Sequence, residues 1–156
     1  DCRIISKLST IKPVSGNNMC IIGTGLGSTS NSHSSVERTF TVNGAKQLIL
    51  YCNFVSEEPM EFYGSKYDDT AVINTKSEDK TTEVKKYTVN TSKWKYLDGN
   101  LFSGGDDTAY QTGWEKITID LTKYSSNIFT LSFEISDTED SIYDSALLID
   151  ALEFKY

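Results

Sequence analysis

The stretch Ile128–Ser136, with the sequence IFTLSFEIS, carries the clearest structural pattern of this chain. Apolar side chains occupy every second position, and polar side chains occupy the positions between them. Successive side chains of a β-strand point to opposite faces, so this period of two predicts a strand with one buried and one solvated face. An amphipathic helix would instead repeat its apolar residues every 3.6 positions.

The same alternation continues outward along the chain, and turn signals such as Asn43-Gly44 separate the segments. Leu48–Phe54 is apolar at both parities, which indicates a central strand buried on both faces. No segment has the pattern of a long amphipathic helix. The predicted strands are Met19–Ile22, Val36–Val42, Leu48–Phe54, Ala71–Asn74, Lys85–Val89, Trp94–Phe102, Ile117–Leu121, Ile128–Ser136 and Ala146–Phe154. This pattern predicts an all-β fold, a jelly-roll-like antiparallel β-sandwich of about nine strands.

The chain length of 156 residues suits one domain with a full hydrophobic core, so residues 1–156 are expected to form a single β-sandwich domain. The chain begins without a signal peptide and ends in a strand-like stretch, which is typical of a module excised from a larger extracellular protein. No apolar run approaches the length of a membrane span, so we expect no membrane insertion by this fragment. The module is expected to be monomeric.

The net charge of −7 argues against nucleic acid as a partner, because phosphate binding requires clustered Lys and Arg. The longest basic cluster is Lys85-Lys86. An acidic surface fits either simple solubility or the binding of divalent cations. The three cysteines show no zinc-binding spacing, and an odd count leaves at least one free or paired outside the chain. Cys52 lies in the alternating run with Leu50 and Phe54, which predicts a small core residue.

Carboxylates are concentrated in two segments that together hold ten of the 22 acidic residues. The first contains Glu57, Glu58, Glu61, Asp68 and Asp69, and the second contains Asp137, Glu139, Asp140, Asp144 and Asp150. Lys66 is the single basic residue within them. Crowded carboxylates repel one another unless a positive charge lies between them, and calcium accepts six to eight oxygen ligands in flexible geometry. Two solvated acidic loops would produce the same sequence.

Asp150 favours the cation, because in a regular strand it shares a face with Leu148, Leu152 and Phe154. A carboxylate on an apolar face needs a partner, which could be a cation, backbone donors or water at a sheet edge.

Catalytic signals are weak. The single histidine, His33, lies in the polar stretch Ser28–Ser35, which is predicted to be a surface loop. Its neighbouring serines do not make a catalytic triad, since adjacency in sequence is not triad geometry. Paired carboxylates could serve a glycosidase, but these acids are too densely grouped to resemble one tuned acid and one base. No catalytic residue is predicted.

A family resemblance begins at residues 53–69, NFVSEEPMEFYGSKYDD. This run resembles the pattern N-F-x-S-x-E-x-x-E-[FY]-x-G-S-x-[FY]-[ND]-D of β-sandwich modules in large bacterial surface adhesins. These include the calcium-dependent peptide-binding modules of RTX-type adhesins and related choice-of-anchor domains. Thr112-Gly113-Trp114 and the run 140–150, DSIYDSALLID, are similar to two further segments of the family. The resemblance covers about residues 18–154, and its departures are Pro59-Met60 and Asp68.

The resemblance implies a jelly-roll-like sandwich that holds several calcium ions. The ligands it implies are Glu58, Glu61, Asp68, Asp69, Asp144 and Asp150. Together with the grouping of the acids, the candidate metal ligands are Glu57, Glu58, Glu61, Asp68, Asp69, Asp137, Asp140, Asp144 and Asp150. The candidate ligand-binding aromatics are Phe62, Tyr63, Tyr67 and Tyr143.

The sequence therefore predicts a calcium-dependent adhesin module, secreted or on a cell surface, that recognises a peptide or glycan on another cell or surface. One alternative is a calcium-rigidified structural spacer without its own ligand. A carbohydrate-active enzyme is the weaker alternative.

Overall fold

The structure is a computed structural model that describes residues 2–24, 33–57, 68–90, 92–98, 108–124, 126–137 and 144–156. These residues form eleven β-strands and a single turn of 3-10 helix at Leu121–Lys123. The strands are β1 (Cys2–Ile5), β2 (Met19–Gly23), β3 (His33–Thr41), β4 (Gln47–Ser56), β5 (Thr70–Ser77), β6 (Lys80–Thr88), β7 (Lys95–Asp98), β8 (Thr108–Gln111), β9 (Glu115–Asp120), β10 (Ile128–Ser136) and β11 (Ser145–Lys155). None of the described helices is long and apolar enough to cross a membrane.

The strands form two antiparallel sheets, which confirms the predicted β-sandwich. The larger sheet has seven strands in the order β1-β2-β11-β4-β8-β7, and β9 pairs with the first part of β4. The smaller sheet has the order β3-β10-β5-β6. Strand β4 therefore pairs with three strands, β11, β8 and β9, as a central strand should.

The main core lies between the two sheets. Strand β10 directs Phe129, Leu131 and its later apolar residues into this core, as its alternation predicts. From the opposite sheet β4 contributes Leu50 and Phe54, which are fully buried. Burying a side chain of this size stabilises the fold by about 1.5–3 kcal/mol relative to leaving it exposed. The prediction that Cys52 is a core residue is confirmed, because it is fully buried between the sheets.

A second core covers the opposite face of the larger sheet. Val55 and Leu148 point into it, and the segment that follows β1 closes it with Ile11. The indole Nε1 of Trp114 donates a hydrogen bond of 3.0 Å to the carbonyl of Lys12, which ties this cover to the start of β9. The larger sheet is therefore apolar on both faces around β4 and β11, and this explains why β4 is apolar at both parities.

Several sequence expectations need correction. The strands β1 and β8 were not predicted, because each has four residues and neither shows a run of alternation. Strand β6 begins at Lys80 rather than Lys85, since its first residues are polar on both faces at the edge of the smaller sheet. His33 is the first residue of β3 rather than part of a surface loop. Residues 28–32 of that predicted loop lie outside the described residues.

Candidate functional site

Four carboxylates lie at the same end of the sandwich. Glu57 follows β4 and Asp144 precedes β11, and these two strand ends are neighbours because Ser56 pairs with Ser145. Asp137 follows β10 and Asp69 precedes β5, and their strand ends are neighbours because Ser136 pairs with Thr70. We call this group, Glu57, Asp69, Asp137 and Asp144, the carboxylate end.

All four side chains of the carboxylate end are buried. Glu57, Asp69 and Asp144 are 0% exposed, and Asp137 is 8% exposed. Buried carboxylates are rare in proteins unless they are paired, hydrogen-bonded or bound to metal, because the charged form loses its hydration. This arrangement therefore excludes one alternative left open by the sequence, that these four acids are solvated loop residues.

Hydroxyl groups connect the carboxylates across the two sheets. The Ser145 hydroxyl, in the larger sheet, donates to Asp69 Oδ2 beside the smaller sheet at 2.5 Å. The Ser56 hydroxyl lies 2.8 Å from the Ser145 hydroxyl. Thr24 Oγ1 donates to Asp144 Oδ1 at 3.0 Å and accepts from the Ser145 backbone N–H at 3.1 Å. Hydrogen bonds to an ionised acceptor are stronger than neutral ones, so this network stabilises the charged form of Asp69 and Asp144.

The backbone also fixes the geometry of this end. The Glu57 N–H donates to the Asp144 carbonyl at 2.9 Å, and the Thr24 N–H donates to the Ser145 carbonyl at 3.1 Å. These bonds extend the sheet pairing of β4 and β2 with β11 by one residue on each side. Glu57 and Asp144 are consequently held by the sheet itself rather than by a loop.

The remaining predicted metal ligands divide into two groups. Glu58, Glu61 and Asp140 lie outside the described residues. Asp68 is half-buried, and its Oδ1 accepts a hydrogen bond of 2.9 Å from the backbone N–H of Asn90. Within the described ranges, no three Asp, Glu, His or Cys side chains are grouped so that they could hold a metal ion by themselves.

Asp150 lies away from the carboxylate end. It follows Asp144 by six residues along β11, which corresponds to about 20 Å of strand. The prediction that it shares a face with Leu152 and Phe154 is wrong, because the register shifts between Asp150 and Glu153. Leu152 is 43% exposed, whereas Phe154 packs against the main core. Asp150 Oδ2 instead accepts a hydrogen bond of 3.0 Å from the Ser15 backbone N–H.

The predicted ligand-binding aromatics Phe62, Tyr63, Tyr67 and Tyr143 all lie outside the described residues. Two other tyrosines form an aromatic pair at the same end of the larger sheet. Tyr96 on β7 is 60% exposed, and its ring centroid lies 6.0 Å from that of Tyr110 on β8 in an edge-to-face arrangement. Tyr110 is the cross-strand partner of Ser56, so the pair lies beside the carboxylate end. The sequence analysis considered Tyr110 as a platform aromatic but did not predict that it lies beside Tyr96, because β8 was not recognised.

His33 also lies near this end, since it pairs with Ser136 at the end of β10. Its side chain is exposed, whereas the carboxylates are buried.

No protein-family profile matches this chain, and no curated protein matches its sequence. Solved structures do resemble it in fold. The carbohydrate-binding module CBM27-1 of Caldicellulosiruptor saccharolyticus, in complex with mannohexaose, has a TM-score of 0.53 at 12% identity, over 99% of this chain and 82% of that chain. The K2 cleaved adhesin domain of Lys-gingipain has a TM-score of 0.52 at 16% identity, over 99% of this chain and 82% of that chain. At these identities the likeness shows the fold alone, and the chain is therefore a jelly-roll-like antiparallel β-sandwich.

Proposed function

We propose that this chain is a non-catalytic ligand-binding module of a secreted or surface protein, that calcium stabilises its carboxylate end, and that its ligand is a glycan. The observation that carries the proposal is the carboxylate end itself, where four acids are buried, Ser145 donates to Asp69 and Thr24 donates to Asp144. A peptide ligand remains the alternative.

The chemistry of the donor set suits calcium. Calcium is a hard cation that takes six to eight oxygen ligands from carboxylates, carbonyls and water. Glu57, Asp69, Asp137 and Asp144 would contribute part of such a set. Because the described side chains do not form a complete metal site alone, Glu58, Glu61 and Asp140 from the adjoining segments would have to contribute further oxygens. Bound calcium would place positive charge beside the four buried carboxylates.

The burial of these acids favours a structural role for the ion. Glu57, Asp69 and Asp144 have no exposed surface, so an ion among them would not be open to a ligand from solvent. A calcium ion there would rigidify the junction of the two sheets and orient the segments that leave it. This feature also supports the second candidate function, a structural spacer that uses calcium and binds nothing itself.

Two features support a ligand-binding module over a structural spacer. The carboxylate end lies at one end of a rigid sandwich, which is a common place for binding residues. Tyr96 and Tyr110 place aromatic surface beside the same end, and aromatic side chains stack on sugar rings or pack on peptides. One structure with this fold was solved with mannohexaose and another is an adhesin domain, which supports a glycan ligand and an extracellular location.

The proposal is tested on glycan and peptide arrays, in buffer with calcium and after chelation. We expect binding to glycans in calcium, with loss of binding in Tyr96→Ala, whose truncation removes an exposed ring without touching the core. The matched control is Tyr156→Ala, which removes an exposed tyrosine at the far end of β11. A folded protein that binds no glycan and no peptide would support the spacer instead.

A further inference from the structure

A groove rimmed by lysines lies on the side of the sandwich, between the edge strand β6 and the start of β7. Its volume is about 470 Å³. Lys85 and Lys86 line it from β6, and Lys93 and Lys95 line it from the segment that enters β7. We call this feature the lysine groove. It places four of the 15 basic residues of an acidic chain around one depression.

The positive charge of the groove is largely uncompensated by the described residues. Glu115 is the one acidic residue in its lining, and Glu115 Oε2 lies 3.7 Å from Lys85 Nζ. That leaves Lys86, Lys93 and Lys95 without a carboxylate at ion-pair distance among the residues that the structure describes. Several cations around one groove would attract an anion with more than one charge.

The floor of the groove is aromatic and rigid. Trp94 lines it, and its Nε1 donates a hydrogen bond of 3.0 Å to the Val89 carbonyl. The Trp94 ring also packs against the ring of the core residue Phe54, with centroids 5.4 Å apart. A fixed indole offers apolar surface to the C–H face of a sugar, and the adjoining lysines would hold charged substituents of that sugar.

Gly113 lies beside the Lys95 side chain. Gly113 has φ +84°, in the left-handed region, and a Cβ at this position would lie 3.3 Å from Lys95 Nζ. The absence of a side chain therefore lets Lys95 lie close to this backbone. Thr112, the preceding residue, contributes a hydroxyl-bearing side chain to the same wall.

We propose that the lysine groove binds an acidic polysaccharide, one whose sugar units carry carboxylate or sulfate groups. The two pairs of lysines come from different strands, so they can contact successive charged groups of a chain that lies along the groove. The indole floor suits a sugar ring better than an acidic peptide, which would offer mainly flexible carboxylate side chains. The proposal goes beyond the calcium-stabilised binding module, because neither the carboxylate end nor the Tyr96–Tyr110 pair contributes to this groove.

Binding is measured with dextran sulfate and hyaluronan as probes, against uncharged dextran of the same length and poly-glutamate, by titration in a calcium-containing buffer. The double variant Lys93→Ala/Lys95→Ala removes two exposed lysines of the groove. The matched control, Lys7→Ala/Lys76→Ala, removes two exposed lysines elsewhere and changes the net charge equally. We expect the groove variant to bind the acidic polysaccharides about tenfold more weakly. Each exposed ion pair contributes little binding energy, and the loss of two such pairs together corresponds to about one order of magnitude in affinity.

The control variant should retain the parent affinity, uncharged dextran should not compete, and parent binding should weaken as salt concentration rises. Equal weakening in both double variants would reduce the effect to non-specific charge attraction and overturn the proposal. Tighter binding of poly-glutamate than of dextran sulfate would assign the groove to an acidic protein instead and also overturn it. If neither dextran sulfate nor hyaluronan binds the parent protein, the proposal is also overturned. None of these outcomes bears on the calcium response or on Tyr96, so the two proposals fail separately.

Discussion

At the scale of single residues, the main core contains ionisable groups that stay neutral because they are buried. Burial raises the pKa of the Cys52 thiol far above its usual range, and the nearby charge of Glu115 adds to the shift. Burial likewise raises the pKa of Tyr87, and the neighbouring Cys52 and Glu115 raise it further. The Tyr87 hydroxyl donates to Glu115 Oε2 at 3.3 Å. Both groups therefore hold their protons in the folded state.

These shifts predict a loss of stability in alkali. In the unfolded chain a thiol ionises above about pH 8.5 and a tyrosine above about pH 10. Across that window the unfolded state binds fewer protons than the folded state, so the free energy of unfolding falls as pH rises. Cys52 alone should account for a loss of about 2 kcal/mol by pH 10. Urea unfolding at pH 7 and pH 10 measures it.

The control is Cys52→Ala, which should cost about 1 kcal/mol at pH 7 by leaving a small cavity, and should lose stability less steeply in alkali. Parallel pH profiles for the parent and Cys52→Ala would show that the thiol does not contribute to the alkaline loss.

At the scale of elements, β11 is the longest strand and the most irregular one. Ala151 has φ 56°, and the pairing register with β4 shifts between Asp150 and Glu153. The one extra residue rotates the end of the strand, which brings Phe154 against the main core and leaves Leu152 exposed. A bulge of this kind cannot be read from the sequence, because the run ALLIDALEF contains no glycine or proline to mark it.

The left-handed conformation of Ala151 in this bulge can be tested by substitution with glycine. A left-handed conformation costs an L-residue about 1–2 kcal/mol, and glycine avoids this cost but has a more flexible unfolded state. Ala151→Gly should therefore leave stability unchanged or raise it by up to about 1 kcal/mol. The matched change Ala109→Gly, at a fully buried position in β8, should destabilise the fold by roughly 1 kcal/mol. Equal destabilisation by both changes, measured by urea unfolding, would contradict a bulge at Ala151.

The elements also show where periodicity was informative. Strands β10 and β5 bury one face, so their buried residues follow the strand period, whereas β4 is apolar at both parities because both of its faces are covered. Both patterns predicted strands. Strand β6 exposes its first four residues at a sheet edge, where no burial constrains the pattern. The short strands β1 and β8 depend on pairing with β2 and β4, which lie far away in the sequence.

At the scale of the whole molecule, the sequence predicted two acidic segments but not which acids meet. Glu57, Asp69, Asp137 and Asp144 lie at one end of the sandwich because antiparallel pairing places the ends of β4 and β11, and of β5 and β10, side by side. The hydrogen bond from Ser145 to Asp69 could not be predicted, since a serine at the start of a strand has no distinctive pattern. The lysine groove was also missed, because its two lysine pairs come from strands of different sheets and only Lys85-Lys86 is contiguous.

The last prediction concerns calcium and the carboxylate end. An ion that binds only the folded state raises the free energy of unfolding by about 2.7 kcal/mol at a hundred times its dissociation constant. We therefore expect the melting temperature to fall with EDTA and to recover with Ca²⁺, but less well with Mg²⁺, which prefers a tighter octahedron.

Asp144→Asn separates calcium binding from simple packing. The amide oxygen can still accept the hydrogen bond from Thr24 Oγ1, while one buried negative charge is removed. In EDTA the variant should melt at or above the parent temperature, because three carboxylates repel less than four. In Ca²⁺ it should melt below the parent, because the ion has lost a charged ligand. The control Asp120→Asn changes an exposed carboxylate near the opposite end of β4, where the amide oxygen can still accept the bonds from Thr122. Any shift from the parent should be the same in both buffers. If Asp144→Asn instead lies below the parent by the same amount with and without calcium, the carboxylate end is a hydrogen-bonded network that holds no ion.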